Sequence, residues 1–315
     1  MLENLIFSVN SVLPFFLLIL LGALLAKTNT IPKSFFQMAS GFTFKIGLPF
    51  QLFYSIAGID GGNLLSGSFM LYTAIVTTAS FLLIWLVTEL FFHKDKAIIG
   101  TLVQCTFRGN YVLIGIPLAG LVLGQGAMHA ASVVSIVVIT LHNALSVIVL
   151  LVRGHAEPES IKKIIRGILL NPLIIGIFLA MPLMFLQIRL PEAAMRTIMY
   201  VGATGTPLGL LSIGGVMSLA DATARLRPAV YGGVMKLLLL PAVVIPISCF
   251  FGYRGEELLI LLMMAATPAA ASSYVMAVQM KGDGPLAANI LILTTLFSAF
   301  TLAVSIYILR SLGYI

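Results

Sequence analysis

The sequence is poor in charge. Of its 315 residues only 9% are Asp, Glu, Lys or Arg, against about 25% in an ordinary soluble domain. With 60% apolar residues, a soluble globule of this length would leave large apolar patches in water and aggregate. Low charge with high apolarity also excludes a disordered chain, and 28 glycines and 14 prolines exclude a simple coiled coil. Cysteine is scarce. Cys105 and Cys249 each fall inside an apolar run, so there is no disulfide framework, and no Cys/His spacing forms a metal site. No metal and no cofactor are expected. A net charge of +7 in a soluble protein would raise nucleic acid as a partner. Here the basic residues sit mostly in short loops, which membrane topology explains, and no nucleic acid is expected. What remains is an all-α integral membrane protein whose apolar surface faces lipid.

A spanning helix needs about 20 mostly apolar residues. Ten windows qualify: 5–26, 34–57, 67–92, 97–122, 128–152, 168–186, 194–218, 228–250, 257–279 and 286–309. Met1-Leu2-Glu3 carries no Lys or Arg and no A-x-A site comes after the apolar stretch, so the first window reads as a retained span rather than a signal peptide. The longest connection, 153–167, reads as a cytoplasmic loop with a small amphipathic surface segment. Orientation follows from Lys/Arg bias. Eleven basic residues fall in the loops of one side, Lys27, Lys33, Lys94, Lys96, Arg153, Lys162, Lys163, Arg166, Arg225, Arg227 and Lys281. Four fall on the other, Arg189, Arg196, Arg254 and Arg310. The first side is expected in the cytoplasm, with both termini outside.

Prolines act as a ruler. Pro14 and Pro172, and Pro49 and Pro207, are 158 residues apart, and Pro117 and Pro268 are 151 apart. With five windows on each side of 153–167, residues 1–152 and 168–315 read as two diverged copies of one unit. The alternative is a chance alignment of prolines. An odd number of spans makes the copies inverted in the membrane, the plan of many secondary transporters, whose substrate sites lie near the midplane at the repeat interface. Span four reads Arg108-Gly109-Asn110-Tyr111-Val112-Leu113-Ile114-Gly115-Ile116-Pro117 and span nine Thr267-Pro268-Ala269-Ala270-Ala271-Ser272-Ser273. Pro117 would free the carbonyl of Leu113 and Pro268 that of Met264. Freed groups cannot face lipid, so both helices are expected to break inside the protein. Half-helices starting near the prolines would offer free N–H groups and positive dipole ends to an anion. A kink that only shapes packing is the alternative.

Every Asp and Glu lies in a loop or near a span end. Lys45 and Arg108 instead lie at mid-depth, each 12 residues beyond a loop lysine, or roughly 18 Å of helix. Without a buried carboxylate, their partner would be a carbonyl, water or an anionic substrate. Snorkelling to the surface is the alternative. It is the expected reading for Lys236 and stays open for Lys45. Proton relays and sodium sites built on carboxylates are unsupported. His142, central in span five, either titrates in coupling or is simply hydrogen-bonded, and Asn143 beside it is a similar candidate. Gln51, Thr206, Ser212, Ser272, Ser273 and Gln279 either line a cavity or bridge helices.

Gly109-Asn110-Tyr111-Val112-Leu113-Ile114-Gly115-Ile116-Pro117-Leu118 resembles the Asn-x-x-x-x-Gly-[Ile/Leu]-Pro-[Leu] segment of the auxin efflux carrier family. Gly47-Leu48-Pro49-Phe50, Asn171-Pro172, Lys236-Leu-Leu-Leu-Leu-Pro241 and Thr267-Pro268 fit other segments of that family in order. The resemblance implies ten helices in two inverted five-helix repeats, with helices four and nine broken and crossing. It implies a scaffold of helices 1, 2, 6 and 7, a transport domain of helices 3–5 and 8–10, elevator-like motion and a homodimer. The family's substrates are organic anions, auxin in plants and dicarboxylates in some bacteria. Asn110 carries over as a carboxylate contact, and Pro117 and Pro268 as the crossover. The chain lacks the long hydrophilic central loop of many plant carriers. It has Arg-Gly before Asn110, where plant members typically have Leu-Pro or similar, which fits a more strongly anionic ligand.

The expected protein is therefore not an enzyme but a secondary carrier for a small carboxylate or dicarboxylate in a bacterial cytoplasmic membrane. The anion would lie near Arg108, Gly109, Asn110, Ile116, Pro117, Thr267, Pro268, Ser272 and Ser273. Pro49, Gln51, Thr206 and Pro207 would face it from the scaffold, with His142 and Lys45 as coupling candidates. A sodium-coupled bile-acid-type carrier shares the crossed-helix plan and is one rival; a receptor that binds the anion without moving it is another.

Overall fold

A computed structural model describes residue 14 and residues 17–58, 67–92, 96–153, 162, 166, 169–216 and 225–315. The start of the first window and nearly all of the amphipathic segment expected over 153–167 lie outside them. Among the described residues the chain is helical, with one isolated β-bridge. Four helices are long and apolar enough to cross a bilayer: α4 (Gly67–Phe92), α7 (Gln125–Arg153), the run Leu226–Phe250 and α15 (Gly284–Ser311). Shorter or interrupted helix occupies the described parts of the remaining windows. These pieces are α1 (Leu17–Lys27), α2 (Lys33–Phe42), α3 (Leu48–Ala57), α5 (Lys96–Phe107) and α6 (Ile116–Leu123). In the second half they are α8 (Pro172–Phe185), α9 (Glu192–Ala203), α10 (Gly205–Val216), α13 (Gly255–Ala266) and α14 (Ser272–Gln279). Within Leu226–Phe250, α11 (Leu226–Val234) and α12 (Leu240–Phe250) flank a wider turn.

That turn recurs. Thr43–Gly47, Tyr111–Gly115 and Met235–Leu239 are π-helical, and each ends two residues before a proline: Pro49, Pro117 and Pro241. The proline ring would strike the carbonyl four residues back in an α-helix. A π turn bonds five residues back and widens the backbone, as Leu48 N–H to Thr43 O, Ile116 N–H to Tyr111 O and Leu240 N–H to Met235 O show. The proline is thus accommodated without ending the helix. In span four the sequence placed the break at Pro117. The helix instead stops at Phe107, and Pro117 occupies the first turn of α6.

Two groups of helices form. In one, α3 packs against α8 and α9, and α2 against α10. Glycines set the spacing. A Cβ on Gly176 would lie 2.7 Å from Pro49 O, one on Gly202 2.8 Å from Gln51 Cα, and one on Gly47 2.8 Å from Gly205 Cα. Small residues of this kind let helix backbones approach closely where lipid supplies no hydrophobic drive. In the other group, α4 to α7 pack with α11 to α13 and α15 around a core that includes Phe81, Phe107, Tyr111 and Leu262. The short α14 touches both groups, and Gln279 Nε2 donates to Ser40 Oγ on α2 at 3.3 Å. Gln279 bridges helices.

A methyl group at Gly47 must push two backbones apart. Gly47→Ala is expected to destabilise by about 1–3 kcal/mol, read as a lower melting temperature in detergent. Gly67→Ala, where a Cβ meets nothing within 4 Å, should leave the melt at or above wild type.

Candidate functional site

Helices α5 and α13 both stop inside the protein, at Phe107 and Ala266. The extended stretches after them pair with each other. Gly109 and Ala269 form an antiparallel bridge, and Asn110 N–H donates to Pro268 O at 2.7 Å. Ala269 N–H donates to Thr294 Oγ1 on α15 at 3.1 Å. Each break therefore satisfies backbone groups of the other, as a non-helical segment at membrane depth requires. Gly109 is needed there. A Cβ would collide with Thr267 Oγ1 and sit 3.1 Å from Met264 O and 3.2 Å from Lys236 Nζ.

Beside the paired breaks lies a cavity of about 90 Å³. Arg108 to Val112 and Ala270 to Ser272 form part of its wall. Val138, Ile139, His142 and Asn143 of α7 close another part, and Leu48, Gln51, Leu52 and Thr206 enter from α3 and α10. Arg108 is only 6% exposed. Its guanidinium donates to Met276 Sδ at 2.6 Å and to Ser272 Oγ. Both acceptors are neutral, and no salt bridge among the described residues reaches it. The buried Asn110 Nδ2 has no hydrogen-bond partner, nor has Asn143 Oδ1, although Asn143 Nδ2 donates to Ile139 O at 2.8 Å. Thr206 Oγ1 donates to Gln51 Oε1 at 3.3 Å. The His142 ring stands edge-on to Phe107 at 5.4 Å. A charge paired only with neutral groups, beside an unused amide donor, is an arrangement that an anion completes.

Of the residues singled out in the sequence, Arg108, Gly109, Asn110, Gln51, Thr206, Ser272, His142 and Asn143 line this cavity. Thr267, Pro268 and Ser273 are buried in or beside the break, behind the lining; Ser273 O accepts from Gln104 Nε2 at 2.8 Å. The others are not brought in. Ile116 and Pro117 lie in α6, beyond the π turn. Pro49 is buried where α3 meets α8, and Pro207 is exposed near the start of α10. Lys45 is also exposed, on the outer face of its π turn. Ser212 spends its hydroxyl within α10, on Leu208 O at 2.7 Å.

Lys236 reverses its sequence reading. It does not snorkel but is fully buried, with Nζ 3.4 Å from Phe107 O at the end of α5. The π turn that carries it packs against α5, α13 and α15, which holds the side chain toward the break. The available signal was its place five residues before Pro241, in a run that behaves like those before Pro49 and Pro117.

The membrane transport protein family model matches residues 7–163 and 155–306. The chain belongs to that family, the auxin efflux carriers that its sequence resembles, and is a membrane transporter rather than an enzyme. It is also similar, at 25% identity over 312 residues, to a protein of Rhizobium meliloti (strain 1021) named "Putative malonate transporter"; the match spans 95% of each chain.

Because the paired backbones rather than Pro117 hold the break, the two substitutions should separate. Gly109→Ala is expected to part the breaks and speed hydrogen exchange at the Asn110 amide. Pro117→Ala should leave that amide protected; exchange followed by mass spectrometry reads both.

Proposed function

We propose that the protein is a secondary carrier for a small carboxylate or dicarboxylate, bound in the cavity at the two helix breaks. The observation that carries this is Arg108: a buried guanidinium with only neutral partners, next to the unpartnered amide of Asn110. A carboxylate would accept from both, and the N-terminus of α14 beginning at Ser272 adds a favourable dipole end. Opposite, Gln51 and Thr206 offer neutral polar groups to the far end of the anion. The name of the Rhizobium meliloti relative makes malonate the first substrate to try.

The same reading takes the chain as ten spans in two inverted repeats, with the breaks of spans four and nine as the crossing point. The group containing α2, α3, α8, α9 and α10 would be the scaffold, and the group containing α4 to α7 and α11 to α15 the moving body. The cavity lies between them, since its lining comes from both, and such a position suits an elevator. The cytoplasmic membrane of a bacterium, with both termini outside, and a homodimer complete the proposal. It is supported by the Lys/Arg asymmetry of the loops and by the family.

Liposomes holding the purified protein should take up labelled malonate against a counter-gradient of the unlabelled anion. Loss of a charged hydrogen bond is worth about 1.5–3 kcal/mol, so Arg108→Ala should lower apparent affinity by about ten- to a hundredfold. Asn110→Ala should lower it by a smaller factor, and both variants should melt as wild type does. A protein that binds malonate in a thermal-shift assay but moves none would be a receptor. Normal flux in both variants would place the anion elsewhere.

A further inference from the structure

Asn143 is 2% exposed and lines the cavity from α7, yet a carboxylate held by Arg108 and Asn110 gives it nothing to bond. Its Nδ2 donates to Ile139 O, one turn back, at 2.8 Å. That bond fixes the amide, because the reverse orientation would set Oδ1 against a carbonyl oxygen. Oδ1 is left on the other side of the amide, and no donor reaches it. Nearby hydroxyls are already committed. Thr206 Oγ1 donates to Gln51 Oε1, and the Tyr111 hydroxyl donates to Ala131 O at 2.9 Å. A buried acceptor without a donor costs free energy that a ligand carrying an O–H or N–H would recover.

Charge in the cavity is limited as well. Among the residues lining it, Arg108 alone is an Arg, Lys, Asp or Glu. The other ionisable side chains of the lining are Tyr111 and His142, whose ring stands edge-on to Phe107. The lining residues of α3, α10 and α14 include none. Lys236 is spent behind the break, on Phe107 O. A dianion would bring two charges to one guanidinium and would offer Asn143 Oδ1 only another acceptor.

We propose that the cavity takes its ligand as a monoanion whose far end donates a hydrogen bond to Asn143 Oδ1, so that a dicarboxylate such as malonate binds with its second carboxyl protonated. The inference rests on the reading of this cavity as the anion site and specifies which form of the anion it accepts. Arg108 and Asn110 hold the ionised end, and Asn143 selects the other end by what it can donate. A site built around a hydrogen-bonding group rejects an analogue that lacks the partner, because its own polar group then stays unpaired.

The test titrates full-length protein in detergent with malonate, malonamate and acetoacetate, reading melting temperature. Malonamate carries an amide N–H where acetoacetate, of equal charge and nearly equal shape, has a methyl group. At neutral pH wild type should bind malonamate about five- to a hundredfold more tightly than acetoacetate. Asn143→Ala should erase that preference by weakening malonamate alone. Lowering pH from about 7.5 to about 5.5 converts malonate to its monoanion, since the first charge delays ionisation of the second carboxyl. Its apparent affinity should then rise about tenfold or more. Malonamate stays a monoanion throughout, so it reports any effect of pH on His142 and should change by less than about twofold. Equal affinity for malonamate and acetoacetate in wild type would overturn the proposal. So would malonate affinity that stays level or falls as pH is lowered, or an Asn143→Ala protein that keeps the preference. If Asn143→Ala does not fold, the two wild-type comparisons decide. Binding that survives Arg108→Ala, or no binding of any of the three, would sink the reading of the site and this inference with it. If the three bind as expected but liposomes take up no malonate, only the transport reading fails.

Discussion

Two helices interrupted inside an apolar protein create a problem that each helps the other to solve. Peptide groups left unbonded at membrane depth cost several kcal/mol each. Here Asn110 N–H finds Pro268 O, Gly109 meets Ala269 across an antiparallel bridge, and Ala269 N–H reaches a threonine of α15. The rest of the architecture depends on this pairing. It fixes where α5 and α13 must end, and it requires glycine at position 109. It also leaves carbonyls on one side and polar side chains on the other.

Those two sides differ in chemistry. On the cavity side are Arg108, Asn110, Ser272 and residues from α3, α7 and α10, so the pocket is shared between the two helix groups. Behind the break are Thr267, Met264 O and Lys236, supplied by a single group. An anion on the first side would touch both groups. The ammonium on the second side touches one group alone.

The repeated π turn links local chemistry to this arrangement. Each turn admits a proline without ending its helix, and each also inserts one residue into the helical count, rotating the rest of that helix by about 100°. Lys45 and Lys236 occupy neighbouring positions within their turns. Yet Lys45 is exposed, whereas Lys236 is buried against the end of α5. The packing around them differs as well. The turn at Met235–Leu239 is packed against α5, α13 and α15, the one at Thr43–Gly47 against helices of the other group and α14.

Low charge and long apolar runs were enough to define a membrane protein, because no soluble surface can be built from such a composition. The spacing of Asn110, Gly115 and Pro117, with the other short segments in order, was enough to define the family. Pro268 also marked the interruption of span nine, because a backbone donor that is absent from the chain is absent in any fold; in span four Pro117 pointed to the right span but not to the place of the break. Where the interruption falls, at Arg108–Asn110 rather than at Pro117, was decided in three dimensions, by which carbonyl lay within reach of the Asn110 amide. So was the choice of buried cation. A lysine at mid-depth can turn outward or inward at similar local cost, and only the helices packed around it decide the direction.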